Sequence, residues 1–397
     1  LHDALPILFF ASIVSASTFS VAKENSYDVA AYVWPAYQPE PRWKELGLFK
    51  DGTGEWENVY RAVSKKKGHI QPRIPLWGYE PEDDPIVLAR KIDACLAAGV
   101  NVLIYDWYWY CGRPFLENGV NAFLKAPNNE RMKFAIMWAN HDVDDLWDRT
   151  VPDKCRDKNN KRHIRWKATI SMDEFKNVLV PRWIEYFKKP NYYKVNGKPL
   201  FQMFFDFDFS DKDKPHCEMV AEALDYFDQK AREAGFAGIE FQMPCGALPL
   251  EPNASDKDTP AVKNLRKNLE YYYSKNWRGA FFYNWVELVP EFECGSYYRK
   301  YEGRKDMDYK LWGEKAYAAL EKKHKDYPDS VIFPSVTCGW DTNSRFPEYV
   351  YVPVATDNTP ERFEYFLRKA KQWCDTKIPA GYPKLITINS LNEWTEG

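Results

Sequence analysis

The sequence predicts an α/β protein built as a (β/α)₈ barrel. Three observations point there. The chain is 397 residues long, within the range of one barrel carrying loop insertions. Eight short β-branched or aromatic runs alternate with amphipathic helical patterns along it. Several of those runs are apolar throughout, as strands covered on both faces of a parallel sheet must be.

The eight expected strands are 28–34, 101–107, 133–138, 199–205, 239–243, 280–283, 331–336 and 385–389. The segments between them carry helix signals. Asp84 is placed to cap a helix, Pro85 suits its first turn, and Leu88, Ile92, Cys95 and Leu96 form one apolar stripe that stops at Gly99. Ser171 and Glu174 have capping-box spacing ahead of Phe175, Val178 and Leu179, and Pro181 is expected to kink that helix. Val220, Ala223, Leu224 and Phe227 lead a further stripe closed by Gly235. Thr359-Pro360 opens one with Phe363, Phe366, Leu367, Ala370 and Trp373 facing inward. The regions 259–276 and 287–310 read as insertions. The chain stops just after the eighth run, so the last barrel helix is expected to be missing and the catalytic domain, 27–397, to be C-terminally truncated. The competing fold is an open doubly wound sheet, which would need a phosphate-binding G-x-G-x-x-G turn that the sequence lacks.

Composition narrows the function. The formal net charge is −2 and no long basic block occurs, so nucleic acid is not an expected partner. Residues 7–14 form an apolar run of signal-peptide length, followed by the small residues of Ser20-Val21-Ala22. Residues 1–22 are therefore expected to be an export signal with a foreign or damaged start. The mature protein is expected to be secreted, periplasmic or at the cell surface, with no membrane-spanning segment. The eight cysteines are scattered and define no disulfide framework. With no C-x-x-C and no clustered His pair, no metal and no cofactor is expected. The chain holds 16 Trp, 26 Tyr and 24 Phe. Many sit beside Asp, Asn or Glu, a mixture that suits stacking on sugar faces and hydrogen bonding to sugar edges. A carbohydrate is the expected partner. A large aromatic core would use the same residues.

Barrel sites form where strands end and loops begin. That rule selects Asp106 and Trp107, Trp138, Asn140 and His141, Asp206 and Asp208, Tyr283, Asn284 and Trp285, and Trp340, Asp341 and Arg345. It ends on Asn392, Glu393 and Glu396; Trp34 and Trp394, in the first and last of these segments, are added as candidate substrate contacts. Glu55 and His69 join them from the first long loop. Carboxylates and aromatics dominate, and no Ser or Cys nucleophile has a convincing base. Glycosidic chemistry needs two carboxyl groups flanking one bond. Glu393 and Glu396 can serve only if the chain turns after the eighth strand, because residues three apart share a face on a helical turn and not on a strand. Asp206 and Asp208 share a face if the strand continues through them. They suit a sugar, a calcium ion or a capped turn. Asp341 and Arg345 are placed to form an ion pair.

The sequence resembles the glycoside hydrolase family 99-like group, which includes WbsX-type proteins first labelled glycosyltransferases. The resemblance runs from about Ala30 to Gly397. It rests on Tyr32-Val33-Trp34-Pro35, Glu55-Trp56-x-Asn58-Val59, Gly68-His69-x-Gln71-Pro72, Trp138-Ala139-Asn140, Gly197-Lys198-Pro199-Leu200, Gly339-Trp340-Asp341 with Arg345, and Asn392-Glu393-Trp394-x-Glu396-Gly397. It implies a retaining α-mannosidase or α-mannanase that works through a 1,2-anhydro sugar. Glu393 would be the base toward the substrate's own 2-hydroxyl and Glu396 the acid. The opening strand, Asn140-His141 and the Asp206–Asp208 stretch depart from the family pattern, which leaves the sugar open. The alternatives are a glycosyltransferase of polysaccharide synthesis and a sugar-binding barrel without catalysis.

Overall fold

The structure, a computed structural model, describes residues 27–152, 163–289 and 305–397. The expected export signal, Cys155, Cys294 and most of the 287–310 stretch lie outside the described residues. The strands are β1 Asp28–Val33, β2 Val102–Tyr110, β3 Lys133–Trp138, β4 Lys198–Met203, β5 Glu240–Pro244, β6 Gly279–Phe281, β7 in two pieces (Val331–Ile332 and Ser335–Thr337), and β8 Leu385–Asn389. Each lies within two or three residues of its expected span.

These strands close into a barrel. Every pairing around the ring is parallel: β1 with β2, β2 with β3, and so on through β6. The seventh strand completes the ring by dividing its partners. Val331–Ile332 pairs with β6, and Ser335–Thr337 pairs with β8, which returns to β1. Pro334 sits at the division. It has no N–H to give a ladder, and its carbonyl accepts from Thr387 N at 3.0 Å.

A helix follows each of the first seven strands: α1 Pro85–Ala97, α2 Asn118–Phe123, α3 Val180–Phe187, α4 His216–Glu233, α5 Pro260–Ser274, α6 Tyr309–Asp326 and α7 Pro360–Lys377. The caps act as the sequence indicates. Asp84 accepts from Ile86 N, Thr359 from Arg362 N and Ser171 from Glu174 N. The capping box is only half made, because the Glu174 carboxylate accepts from Trp109 Nε1. Pro181 falls in the first turn of α3, where its missing N–H costs no helix bond. A π-helical stretch, Phe175–Leu179, precedes it, and Val178 there is exposed. The region 259–276 is no insertion, since it is α5 itself, the crossover from β5 to β6.

Alternation along the strands builds two cores. Between sheet and helices lie Trp107, Trp138, Trp183, Phe201 and Phe227, all buried and in ring contact. Each such side chain contributes about 1.5–3 kcal/mol by leaving water. Inside the barrel, Tyr32 donates to Gln202 and Gln202 to Gln242, a short polar chain below the site that leaves the Gln242 amide nitrogen without a partner.

Candidate active site

The carboxyl ends of the strands open into a cavity of about 270 Å³. Trp34, Asp106, His141, Tyr283, Asn284, Trp340, Arg345, Glu393 and Glu396 line it, which brings together nine of the sequence-selected residues.

The segment after β8 makes the turn that the glutamate pair requires. Glu396 N donates to the Glu393 carbonyl at 2.9 Å, and Glu393 N donates to Ser390 Oγ at 3.0 Å. Both carboxylates therefore face the cavity from one turn. Arg345, 1% exposed, lies against them. Its Nη1 donates to Glu396 Oε1 at 2.7 Å, and its Nη2 is 3.8 Å from Glu393 Oε1. The other side of the guanidinium meets Glu55, with Nη2 to Oε2 at 2.8 Å and Nε on Oε1. Glu55 is fully buried and also takes the Trp34 indole N–H. One guanidinium thus serves three glutamates.

The fourth acid, Asp106, projects inward from β2. Tyr283, just past β6, places its hydroxyl 3.1 Å from Asp106 Oδ2 and 3.0 Å from Glu393 Oε2. Asp106 Oδ1 is buried and has no partner. Burial holds the Glu393 carboxyl well above the usual range, and the Glu396 charge adds to this. Arg345 and Tyr283 oppose it. Burial also raises Asp106, against its bond from Tyr283.

The remaining sequence-selected residues lie around this centre. Trp107 donates to Glu117 and stacks on Trp109, facing the helices because it alternates with Asp106. Trp138 packs on Trp183 and Phe207, and Trp285 donates to the Ser335 carbonyl from a fully buried position. These three were expected at the substrate and belong to the core. Asn392 ties the eighth loop to the first strand, accepting from Trp34 N and donating to the Trp34 carbonyl and to Glu82. Trp394 sits beside Trp56 outside the cavity. Asn140 clamps the backbone at Phe205 and Asp206.

The Asp341–Arg345 ion pair does not form. Asp341 instead accepts from His69, Gln71 and Asn343, with Arg73 at 3.5 Å. Burial opposes its charge, yet the bond from His69, the nearby Arg73 and the bonds from Asn343 hold its carboxyl well below the usual range. His69 and Asp341 thereby brace the loop that carries Arg345. Asp206 and Asp208 do not act as a pair either. Asp206 takes His216, Asn268 and Phe207 N, and Asp208 takes Thr169. No group of His, Cys, Asp or Glu able to hold a metal occurs among the described residues.

The cavity also uses residues that the strand-end rule did not select. Tyr108 follows Asp106 by two and shares its face, so alternation could have found it. Trp147 stacks on Trp34 at 5.3 Å from the loop after β3, and Phe204, Phe205 and Glu287 complete the wall. Their loop conformations left no pattern in the sequence.

The site is thus a cavity at the strand ends of a closed (β/α)₈ barrel, lined by Asp106, Glu287, Glu393, Glu396, Arg345 and an aromatic wall, with Glu55 behind Arg345. The chain belongs to the family described as glycosyltransferase WbsX, whose model matches residues 29–397. Two uncharacterized WxcX proteins, from Xanthomonas campestris pv. campestris strains B100 and ATCC 33913, are each 22% identical over 93% and 97% of the chain. The chain spans about half the length of these relatives, 46% and 48%. Among solved structures it is similar to a glycoside hydrolase family 99 endo-α-mannosidase from Bacteroides thetaiotaomicron, at 13% identity, TM-score 0.47, 93% of this chain and 86% of that one. It is similar also to a glycoside hydrolase-like protein at 12% identity and TM-score 0.47, over 97% and 88% of the two chains. No helix among the described residues is long and apolar enough to cross a membrane.

Proposed function

We propose that residues 27–397 form the catalytic domain of an exported glycoside hydrolase that cleaves an α-linked, mannan-like glycan with retention. The carrying observation is the Glu393–Glu396 turn facing an aromatic-walled cavity with one guanidinium between its carboxylates. The Glu396 charge adds to burial in raising the Glu393 carboxyl. With Glu55 occupying one side of Arg345, the proposed chemistry needs the pair to hold one proton between two carboxyls.

Glu393 takes the proton of the sugar 2-hydroxyl, and that oxygen attacks C1. Glu396 gives its proton to the leaving oxygen as the C1–O bond breaks. The Glu396 carboxylate then takes a proton from water, whose oxygen opens the three-membered ring at C1, and Glu393 returns its proton to the C2 oxygen. Trp34 and Trp340 offer faces for the ring. Residues 1–22 would direct export, which an N-terminal sequence of the secreted protein would check.

The test is hydrolysis of α-mannans and other α-linked polysaccharides, with product stereochemistry read by NMR. Glu396→Gln is expected to lower kcat by about 10²–10⁴-fold while binding persists. Unchanged cleavage in that variant would remove the assignment. The family description favours a second reading, a glycosyltransferase. Transfer from a nucleotide sugar without hydrolysis of any glycan would establish that one instead.

A further inference from the structure

The Tyr283 hydroxyl has one hydrogen and two carboxyl neighbours, Asp106 Oδ2 at 3.1 Å and Glu393 Oε2 at 3.0 Å. It can donate to only one of them. The other contact is a hydrogen bond only if that carboxyl brings a proton of its own. For both contacts to be hydrogen bonds at once, one end of the chain Asp106–Tyr283–Glu393 must be a neutral acid.

The surroundings decide which end. Asp106 is 5% exposed, and its Oδ1 has neither a hydrogen-bond partner nor a cation. An unpaired carbonyl oxygen is far cheaper to bury than an unpaired half of a carboxylate. Glu393 has the Arg345 guanidinium 3.8 Å from its other oxygen. The groups that face Asp106 do not favour its charge. Tyr32 from β1, Tyr108 from β2 and Tyr283 are neutral phenols held high by burial, and Glu287, Glu393 and Glu396 are acids. His141 lines the same cavity from the loop after β3, and Arg345 is taken by Glu55 and Glu396.

We propose that Asp106 rests as a neutral carboxylic acid that donates to Tyr283, which thereby points its own hydrogen at Glu393 and holds Glu393 as the acceptor the base role needs. Asp106 is then a positioning residue. A sequence reading assigns it to the substrate, as an anion for a sugar hydroxyl. The inference rests on the hydrolase reading only for its kinetic consequence, because the protonation state is a property of the free protein.

Asn is the neutral donor that mimics a protonated Asp, and Leu cannot donate. Asp106→Asn is expected to keep the acid limb of the pH profile near that of the parent. Asp106→Leu and Tyr283→Phe are expected to move that limb to higher pH and lower kcat by about 10- to 100-fold, the loss of one hydrogen bond to a charged group. Infrared spectroscopy of the substrate-free protein at neutral pH is expected to show two protonated-carboxyl C=O components, one from Asp106 and one from the glutamate pair. The Asp106→Asn-minus-parent difference spectrum should show the loss of one component, and that same component should persist in Glu393→Gln and in Glu396→Gln. The proposal is overturned if Asp106→Asn behaves like Asp106→Leu, or if that difference spectrum shows no lost component. Should Asp106→Leu fail to fold, Tyr283→Phe and the infrared band decide. Should no glycoside be cleaved, the hydrolase reading fails and the infrared result still stands.

Discussion

The loops after β7 and β8 each carry a buried acid, and the two acids are treated in opposite ways. Asp341, in the first, is surrounded by donors: His69, Gln71, Asn343 and the nearby Arg73. Glu393, in the second, has one phenol and a guanidinium shared with two other glutamates. Burial is similar, yet one carboxyl is held far below its usual range and the other far above it. Donor supply decides which acid is a fixed anion and which can exchange a proton. The barrel uses the first kind to build the loop and the second kind to face the cavity.

Removing the shared cation changes this contrast most. Arg345→Met leaves Glu55, fully buried, without its counter-charge. Breaking one partner of a buried pair costs about 3–5 kcal/mol, so a clear fall in denaturation midpoint is expected together with loss of activity. A stable Arg345→Met protein would mean that Glu55 is not charged.

Asp341→Asn has an intermediate effect. It removes a charged acceptor from His69 and Gln71 and is expected to cost about 1–3 kcal/mol at neutral pH. The sign with pH follows from the depressed folded-state pKa. The stabilisation from Asp341 is present above the unfolded value of about 3.9 and is lost as pH falls through the lower folded value. The variant should therefore show a flatter acid limb in thermal melts than the parent does.

Glu393→Gln is the smallest change, and its sign is opposite. A carboxyl whose folded-state pKa is raised favours the folded protein less as pH climbs from about 4 toward the folded value. Replacing it with a neutral amide is expected to stabilise the protein at neutral pH by on the order of 1 kcal/mol while hydrolysis is lost. A melt that falls in step with activity would place Glu393 with Asp341, among the structural anions.

Much of the site was legible before any coordinates. A strand-end rule finds Asp106, Tyr283, Arg345 and both glutamates, because a parallel barrel always presents its strand ends to one face. The same rule overreaches at Trp107, Trp138 and Trp285. Being at a strand end does not say which side of the sheet a residue faces, and one step along a strand moves it from the cavity to the helix layer. It also misses Trp147, whose place depends on how a long loop folds back over Trp34.

The sequence by itself determined the barrel, its strands and its caps, through local periodicity and cap chemistry. The three-residue spacing of Glu393 and Glu396 set only a condition, a turn after the eighth strand, which the structure meets. Only the tertiary structure decided the pairings: Glu55 with Arg345, His69 with Asp341, and Tyr283 between Asp106 and Glu393. The partners lie 290, 272, 177 and 110 residues apart. No local pattern spans such distances, because barrel closure alone brings those loops to one face, and the contest among neighbouring donors and charges there sets the state of each acid.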